Sequence, residues 1–380
     1  MFSVSLWSTV SGRRVLAIDP FHGGSHLAFL EGVVGSSRHA WTVIADKPVH
    51  WKWRMRASAL KLAQLAQGEV NARGKPQLIF CTDMLDVPAW LGLMRKIDLS
   101  DIPVVIYFHE NQWTYPTSPR SRVDFHYGYT NLMSAFAADH CVFNSAYHRD
   151  DFLNASKKFV ASMPDSHEAH PWKTLNDKCC VIYPGFDVGS SVPIRSADIS
   201  ANSIVLGWVS RWESDKRPDE FLRLCRMLDE RGIDFQLVLL GPQPNEQLTE
   251  SLELRRNFAN RIIHDGYART RQEYLTWLSK IDIVVSTADH EFFGIAICEA
   301  IASGAIPVVP DRLSYPELVP KSQRYDTIEN ACLKIQEIAN TPSQDRTLLV
   351  QECLNKIQPM HLSQSVMDID LLIERLVSTD

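Results

Sequence analysis

Short, almost continuous apolar runs alternate along the chain with longer stretches that mix apolar and polar residues. In the first half the runs are RVLAID, WTVIAD, QLIFCTD, VVIYFHE, HCVFNS and CCVIYP. Amphipathic stretches at 25–35, 55–67, 86–97 and 124–138 separate most of them and predict helices. Because a strand buried on both faces is apolar along its length, the pattern predicts a parallel sheet with helices on both sides.

The alternation stops at a polar segment and then starts again. GFDVGSSVPIRSADISANS, 185–203, is rich in Ser, Gly and Pro, which is typical of a linker. Beyond it come the apolar runs SIVLGWVS, FQLVLLG, RIIHDG, IDIVVST and IPVVP. Helices are predicted near 218–231, 271–280 and 293–303, and the last one over SQSVMDIDLLIERLV. The second half therefore predicts another parallel α/β sheet.

These patterns predict an α/β protein of two doubly wound, Rossmann-like domains that face a cleft. The predicted ranges are 1–185 for the N-terminal domain, 186–203 for the linker, 204–360 for the C-terminal domain, and 361–380 for a helix that packs back on the N-terminal domain. The start, MFSVSLWSTVSGRR, is interpreted as a frayed leader. In such sheets ligands bind beyond the carboxyl ends of the strands.

Composition narrows the class of protein. A hydrophobic content of 45% and a charged content of 22% exclude a disordered chain. With a net charge of −6, any nucleic-acid contact has to come from a local patch. Eight cysteines without a Cys-x-x-Cys pair, no apolar run of membrane-spanning length and no signal peptide favour a cytoplasmic protein without a membrane partner. The sequence does not indicate an oligomeric state.

DHEFFGIAICEAIASG, 289–304, holds two carboxylates in an informative context. Glu291 is predicted in a loop after a buried strand, Gly294 at a helix N-terminus, and Glu299 one and a half turns into that helix. A helix N-terminus favours an anion, and carboxylates accept hydrogen bonds from hydroxyl groups. The stretch therefore predicts a site for a sugar and a ribose flanking a diphosphate. The plain alternative is a surface carboxylate and a helix cap.

GWVSRWESDKRP, 207–218, places two cations in another strand-to-helix loop. Arg211 and Lys216 are suited to phosphate oxygens. The alternative interpretation is a pair of solvated cations. The carboxylate motif at 289–304 disfavours this alternative. The sequence shows no metal-ligand spacing, no Ser-His-Asp system and no Walker-type phosphate loop.

Two motifs of the first half fall at strand ends. DPFHGGSH, 19–26, contains Gly23 and Gly24, and paired glycines let a backbone pass close to a ligand. YFHENQ, 107–112, ends a buried strand, and a polar cluster at the carboxyl end of a strand is more often a site than a structural feature. Its polar residues are His109, Glu110, Asn111 and Gln112.

KPVHWKWRMRAS, 47–58, alternates aromatic and cationic residues with a period of two, and therefore predicts a strand. Aromatic planes interleaved with cations suit unpaired bases and phosphates. An amphipathic surface strand with tryptophans in the core is the equal alternative. SPRSRVDFHYGY, 118–129, adds further cations and aromatic residues. The candidate RNA-binding residues of the two stretches are Trp51, Lys52, Trp53, Arg54, Arg56, Arg120, Arg122 and Tyr127.

Together these motifs resemble a family-four-type glycosyltransferase with the GT-B fold. FHGGSH, WKWRMRASAL, YFHENQ, DFHYGY and VFNS of the first half resemble the tRNA-queuosine alpha-mannosyltransferases in particular. That resemblance implies a retaining transfer of mannose from GDP-mannose to the cyclopentene ring of queuosine at the tRNA wobble position, in tRNA-Asp. The implied partners are a nucleotide sugar and queuosine-containing tRNA, with no metal cofactor.

The resemblance also implies roles for individual residues. Glu299 would bind the donor ribose, and Glu291 with the backbone of Phe292, Phe293 and Gly294 would hold the sugar hydroxyls. Arg211 and Lys216 would neutralise the diphosphate, and His109 would lie near the transferred sugar. Gly23 and Gly24 would let the first domain close on the donor, and Glu110, Asn111 and Gln112 would contact the acceptor. The catalytic set is then His109, Glu291, Arg211 and Lys216.

The chain departs from the superfamily pattern at one place, and three rival functions fit the same motifs. The superfamily often has Gly-Arg and Lys-Gly where this chain has Ser210-Arg211 and Lys216-Arg217. A glycosyltransferase with a lipid or polysaccharide acceptor would share the second domain, and a basic amphipathic helix in 47–58 would favour it. A nucleotide-sugar epimerase would act on the donor alone, and a non-catalytic RNA-binding module would use the fold only as a scaffold.

Overall fold

A computed structural model describes residues 3–5, 12–115, 124–164, 172–189, 203–242 and 249–378. The chain forms two units, one of Met1–Gly185 with Leu362–Asp380 and one of Phe186–His361. Most of the predicted linker, 190–202, and the candidates Arg120 and Arg122 lie outside the described residues.

The first unit is built around one twisted sheet. Its strands are β1 (Ser3–Ser5), β2 (Arg14–Asp19), β3 (Ala40–Ala45), β4 (Leu78–Thr82), β5 (Val104–Phe108), β6 (His140–Phe143) and β7 (Cys179–Val181). Its helices are α1 (Gly24–Ser36), α2 (Trp51–Arg73), α3 (Val87–Met94), α4 (Phe125–Ala137), α5 (Ala146–Ala161) and α6 (Trp172–Asp177). The strand order is β1-β3-β2-β4-β5-β6-β7, and all pairs except β1 with β3 are parallel.

Two local predictions for this unit are wrong. The interpretation of the start as a frayed leader fails at Ser3–Ser5, which pairs antiparallel with β3 at Thr42 to Ile44. The strand predicted over 47–58 is the start of helix α2, which begins at Trp51. The period-two alternation covers only about two helical turns. Buried residues spaced four apart continue beyond it at Leu62, Ala66 and Val70, and this longer pattern decides the structure.

The second unit holds a fully parallel sheet. Its strands are β8 (Ile204–Val209), β9 (Phe235–Leu240), β10 (Ile262–Gly266), β11 (Ile283–Val285), β12 (Ile306–Pro310) and β13 (Arg324–Tyr325), in the order β10-β9-β8-β11-β12-β13. Its helices are α7 (Pro218–Glu230), α8 (Thr249–Asn257), α9 (Arg271–Leu278), α10 (Ile295–Ala302), α11 (Tyr315–Leu318), α12 (Ile328–Asn340) and α13 (Ser343–Ile357). Short 3₁₀ turns lie at Ser214–Lys216, Lys321–Gln323 and Gln358–Met360.

The last helix, α14 (Leu362–Val377), returns to the first unit and packs on α1. Ile369, Leu372 and Ile373 enter the apolar layer behind the first sheet. Gly185 lets the chain pass close to this helix, because its φ is +79° and an added Cβ would lie 2.8 Å from Leu362 Cα. Residues distant in sequence therefore complete the first unit.

Alternate positions along each central strand of the first sheet face opposite helix layers. Leu16 and Ile106 pack in the layer that contains residues of α2 and α3, whereas Ala17 and Tyr107 pack with residues of α1 and α14. This two-sided burial explains the nearly continuous apolar runs and confirms the predicted doubly wound α/β class. Within the described ranges no helix is both long enough and apolar enough to cross a membrane.

Candidate functional site

The strand order of the second sheet creates a reversal between β8 and β11. From β8 the chain proceeds to β9 on one side, and β11 lies on the other. Loops that leave the carboxyl ends of such a pair diverge and open a crevice for a ligand. The loop after β8 carries Arg211 and Lys216, and the loop after β11 carries Glu291. The structure therefore brings two predicted motifs of the second unit to one place.

Lys216 joins the two loops as a buried cation. Its Nζ donates to the carbonyl oxygen of His290 at 2.7 Å and lies 3.2 Å from a carboxylate oxygen of Glu291 and 3.5 Å from one of Asp215. Burial is the largest influence and lowers the pKa of Lys216. The charges of Glu291 and Asp215 raise the pKa, and the net result lies above the ordinary value. Lys216 is therefore a charged group held in a defined position.

Arg211, predicted to share this role, has a different environment. Its side chain is about half exposed and pairs with Glu213 at 3.3 Å. Lys216 contacts Glu291 directly, and Arg211 lies further out on the same loop. A long exposed side chain can reorient toward a bound anion, whereas Lys216 is already ordered.

The loop of 289–294 leads into the N-terminus of α10. The side chains of Phe292 and Phe293 are buried and anchor it. Gly294 is the N-cap of α10 with φ +106° and provides no side-chain cap. An added Cβ at Gly294 would lie 3.1 Å from Leu318 Cδ1, so both φ and the available space favour glycine here. The N-terminus of α10 is thus suited to an anion that bonds to its N–H groups.

Glu299 is buried on α10, and two side chains of α9 hold its carboxylate. Arg271 lies 2.6 Å from one oxygen, and the hydroxyl of Tyr274 donates to the other at 2.8 Å. The pKa of Tyr274 is raised well above its ordinary value, first by burial and then by the Glu299 charge, so the hydroxyl remains a donor. Each carboxylate oxygen keeps a lone pair for a ligand hydroxyl. The sequence analysis did not identify Arg271 or Tyr274.

Arg217 occupies the position where the superfamily often has glycine. Its φ of +51° and ψ of +60° lie in the left-handed region, which explains why glycine suits this turn. The guanidinium offsets the strain through ion pairs with Asp219 at 2.7 Å, Asp289 at 2.9 Å and Glu220 at 3.0 Å. These contacts tie the loop after β8 to the loop after β11.

We expect Arg217→Gly to be more stable than Arg217→Ala by about 1 kcal/mol. Both substitutions remove the same ion pairs, so the difference reports the backbone preference at this position and not the loss of those pairs. Urea unfolding of the two variants provides the comparison. An alanine variant as stable as the glycine variant would show that the turn relaxes out of the left-handed region.

Glycine is favoured at positions 23 and 24 of the first unit for different structural reasons. Gly23 packs against Pro48, and an added Cβ would lie 2.4 Å from the proline ring. Gly24 has φ +56° and open space around the position of a Cβ. Gly23 is therefore explained by packing, and Gly24 by backbone conformation at the start of α1.

His109 lies buried at the end of β5 and stacks on His26 of α1. The two ring centroids are 4.0 Å apart. Within the described part of the chain, His109 Nε2 and His26 Nδ1 are buried and lack hydrogen-bond partners. Burial is the main cause that lowers the pKa of His109 well below its ordinary value, followed by the neighbouring His26 and His148. Burial likewise lowers the pKa of His26 to about 4, so both rings are neutral near pH 7. The sequence analysis missed His26.

The buried His26 makes stability depend on pH in a defined direction. Its folded-state pKa of about 4 lies below the ordinary 6.5, so the unfolded chain binds the proton first as pH falls. The contribution of the neutral, buried His26 to folding stability is complete above pH 6.5 and is lost progressively as the pH falls toward 4. From pH 7 to pH 5 we expect the wild type to lose about 2 kcal/mol more unfolding free energy than His26→Gln.

Urea unfolding at the two pH values tests this dependence. Exposed His126 supplies the control, and His126→Gln is expected to follow the wild type. Equal pH slopes for His26→Gln and the wild type would contradict a neutral, buried His26.

The polar residues after His109 serve partly in the fold. Asn111 is fully buried, donates to Asp151 at 2.8 Å and accepts from the N–H of Trp113 at 3.0 Å. Gln112 donates to Glu110 at 3.2 Å. Buried Asp83, which the sequence analysis missed, accepts the N–H of Glu110. Its pKa is raised well above the ordinary value by burial first and by the Glu110 charge second.

Helices α2 and α4 collect part of the predicted aromatic and cationic set. Trp51 packs on Tyr127 with ring centroids 5.2 Å apart, Arg56 lies 4.9 Å from the Tyr127 centroid, and Lys52 lies 5.5 Å from the Trp51 centroid. Trp53 is 61% exposed, on a different side of α2. Arg54 is instead bound to Asp46 at 2.5 Å, where it fixes the start of α2 to the end of β3.

Comparisons with known proteins agree with this architecture. A model of the tRNA-queuosine alpha-mannosyltransferase N-terminal domain matches residues 14–186, and the model of glycosyl transferases group 1 matches residues 194–329. Sucrose-phosphate synthase from Thermosynechococcus elongatus has a similar structure, with a TM-score of 0.72 over 97% of this chain and 100% of that chain at 15% identity. The protein is a glycosyltransferase of the GT-B fold.

Sequence relatives show to which family of glycosyltransferases the protein belongs. The tRNA-queuosine alpha-mannosyltransferase of Drosophila melanogaster is 33% identical over 339 residues, which cover 87% of this chain and 88% of the relative. The chain belongs to the tRNA-queuosine alpha-mannosyltransferase family, as its motifs predicted. GDP-mannose:cellobiosyl-diphosphopolyprenol alpha-mannosyltransferase of Xanthomonas oryzae is 27% identical over 141 residues, 35% of this chain and 36% of the relative.

Proposed function

We propose that this protein transfers mannose from GDP-mannose to queuosine at the wobble position of tRNA-Asp, with retention, to form alpha-mannosyl-queuosine in the cytoplasm. The observation that carries the transferase chemistry is the ion pair at the sheet reversal between buried Lys216 and partly exposed Glu291, which lies on the loop that ends at the N-terminus of α10. The Drosophila relative, matched over most of both chains, supports the acceptor. The name of the shorter Xanthomonas match supports GDP-mannose as donor.

The donor diphosphate is assigned to Lys216, Arg211 and the N-terminus of α10. As the anomeric carbon–oxygen bond to the diphosphate breaks, negative charge develops on the phosphate. A preorganised cation and helix N–H groups stabilise that charge without further reorganisation. With these cations in place, the proposal requires no metal ion.

The two carboxylates are assigned to hydroxyl groups of the donor. Glu299, oriented by Arg271 and Tyr274, accepts hydrogen bonds from the ribose hydroxyls. Glu291 accepts hydrogen bonds from the mannose hydroxyls. Because Lys216 holds the Glu291 carboxylate, that group is a weak nucleophile, which favours attack by the acceptor itself over a covalent enzyme intermediate. The acceptor oxygen forms the new bond to the anomeric carbon on the face that GDP leaves, and its proton goes to the departing phosphate.

His109 is assigned to the transferred sugar by family resemblance. A transition state with oxocarbenium character carries positive charge on the sugar ring. An imidazolium nearby would oppose that charge, whereas a neutral ring does not. The lowered pKa of His109, set mainly by burial, keeps it compatible with this role.

The tRNA is assigned to the first unit. Trp51, which is half-buried, offers a ring face for an unpaired base, and Lys52 and Arg56 offer charge for phosphates. Tyr127 is buried against Trp51 and Arg56 and supports them rather than facing the RNA. Trp53, whose indole is exposed, is included in this proposed surface.

A lipid-linked or polysaccharide acceptor is the second candidate function. The observation that favours it is the helical structure of 51–73, where a strand was predicted. Its exposed side chains include Lys52, Trp53 and Leu60, and basic helices with exposed apolar residues bind membrane surfaces.

Transfer from labelled GDP-mannose separates the two candidates. The acceptors are total tRNA with queuosine, total tRNA without it, and polyprenyl-diphosphate oligosaccharide, with UDP-sugars as alternative donors. We expect label only in queuosine-containing tRNA and only from GDP-mannose. Label in the lipid fraction alone would support the second candidate. Label from a UDP-sugar would overturn the proposed donor.

A further inference from the structure

Helix α4 exposes an apolar stripe on the described part of the first unit. Phe125, Tyr129 and Met133 are spaced four apart and therefore lie along one face of the helix. Their exposed fractions are 51%, 47% and 40%. Tyr127, which packs on Trp51, points to the opposite side of α4. Contiguous exposed apolar side chains of this kind mark an interaction surface.

Helix α5 extends the stripe into an aromatic ridge, defined as Phe125, Tyr129 and Phe159. The Phe159 centroid lies 5.3 Å from that of Phe125 and 6.3 Å from that of Tyr129. The planes meet at 36° and 54°, so the rings present separate facets rather than one flat wall. Separate aromatic facets suit flat groups that are splayed apart, as unpaired nucleobases are.

The ridge begins beside the loop of 109–115, which follows β5 and carries the proposed acceptor residues Glu110, Asn111 and Gln112. Trp113 of that loop lies between α4 and α5, with its ring 4.5 Å from Phe159 and 6.5 Å from Phe125, and its indole N–H donates to Ser156. Phe125 is the first residue of α4, and helix N-termini of a parallel α/β unit lie at the carboxyl edge of the sheet. The ridge therefore starts at the edge that carries His109 and Glu110.

The charges around the ridge fit a polyanion. Lys158 is exposed on α5 and directly precedes Phe159, whereas Lys157 lies about 200° around the helix from Phe159 and faces away from the ridge. The nearest acid at the start of α4, Asp124, is bonded to His126 at 2.9 Å. Cations beside exposed rings combine phosphate contact with base stacking.

We infer that the ridge of Phe125, Tyr129 and Phe159 stacks unpaired bases that flank the modified nucleotide of the RNA, with Lys158 on the phosphates. This inference rests on the proposed RNA acceptor and extends it to a surface separate from Trp51 and Tyr127.

Binding to a synthetic RNA stem–loop without queuosine tests the inference, with the same stem as a closed duplex in parallel. Phe125→Ala and Tyr129→Ala are each expected to weaken stem–loop binding about tenfold and to leave duplex binding unchanged. Phe125→Tyr should retain binding. Lys158→Ala should weaken binding of both RNAs and reduce the salt dependence of binding. Leu348→Ala, at an exposed leucine on α13, is the matched control, and melting temperatures verify folding.

Stem–loop binding unchanged in Phe125→Ala and Tyr129→Ala, or absent in the wild type, would overturn the inference. So would a change of oligomeric state in those variants without a change in RNA binding, because the ridge would then be a protein contact. The assay needs no donor and no queuosine. Ridge-dependent RNA binding without mannose transfer would therefore refute the proposed function alone.

Discussion

Lys216→Met should lower the rate of mannosyl transfer about 10²- to 10³-fold, the usual effect of removing one preorganised group that stabilises transition-state charge. Methionine preserves most of the packing of the lysine stem but leaves Glu291 and Asp215 without their shared cation. We also expect a loss of about 2 kcal/mol in unfolding free energy, less than for a fully buried pair because Glu291 is partly exposed. Initial rates at saturating donor and urea unfolding measure the two effects.

A second substitution separates catalysis from stability. Lys216→Met combined with Glu291→Gln removes both charges, so part of the lost stability should return while transfer stays low. Recovery of transfer together with stability would show that Lys216 only balances the charge of Glu291. Lys356→Met, at an exposed lysine on α13, controls for loss of a surface charge and should leave both measurements unchanged.

Glu299→Gln is expected to raise the KM for GDP-mannose and the Kd for GDP by about 10- to 100-fold, with little change in kcat. A hydrogen bond to a charged acceptor typically contributes about 1.5–3 kcal/mol, and the amide retains the shape of the side chain without its charge. Steady-state kinetics and calorimetry with GDP provide the two constants.

Tyr274→Phe is the matched control for Glu299→Gln. It keeps the Glu299 charge and its contact with Arg271 but removes one donor, so we expect a loss of only about fivefold in GDP affinity, near 1 kcal/mol. If Glu299→Gln lowered the melting temperature but left GDP binding intact, Glu299 would be a structural partner of Arg271 rather than a ligand-binding group.

The contrast between these sites shows which features could be predicted from sequence. Lys216, Glu291 and Gly294 were identified because each lies in a short segment directly after an apolar strand, where motif and position coincide. The partners of Glu299 were not identified, because Arg271 and Tyr274 lie on another helix and have no motif of their own. His26 escaped notice for the same reason, since it meets His109 only when α1 packs at the end of β5.

Prediction of the helices was also limited by what the sequence shows locally. Helix α2 was predicted as a strand at its start, because six alternating residues imitate the period of a strand. Helices α5, α12 and α13 were not predicted, although α5 buries Phe152 and Leu153. In these helices apolar residues occur on the exposed side as well as the buried one, Leu333 and Leu348 for example, so the helical period is recognisable only when the buried face is known.

The sequence by itself determined the α/β class, the repeated strand pattern, the family and the loop positions of the residues that we propose bind the donor. These are local properties, because a doubly buried strand must be apolar throughout and a phosphate loop must follow it directly. Tertiary structure alone decided that Lys216 is a buried cation against Glu291, that Arg271 and Tyr274 hold Glu299, and that Phe125, Tyr129 and Phe159 form one ridge. Each of these joins residues from separate elements, and burial, which sets their charges and pKa values, exists only after those elements pack.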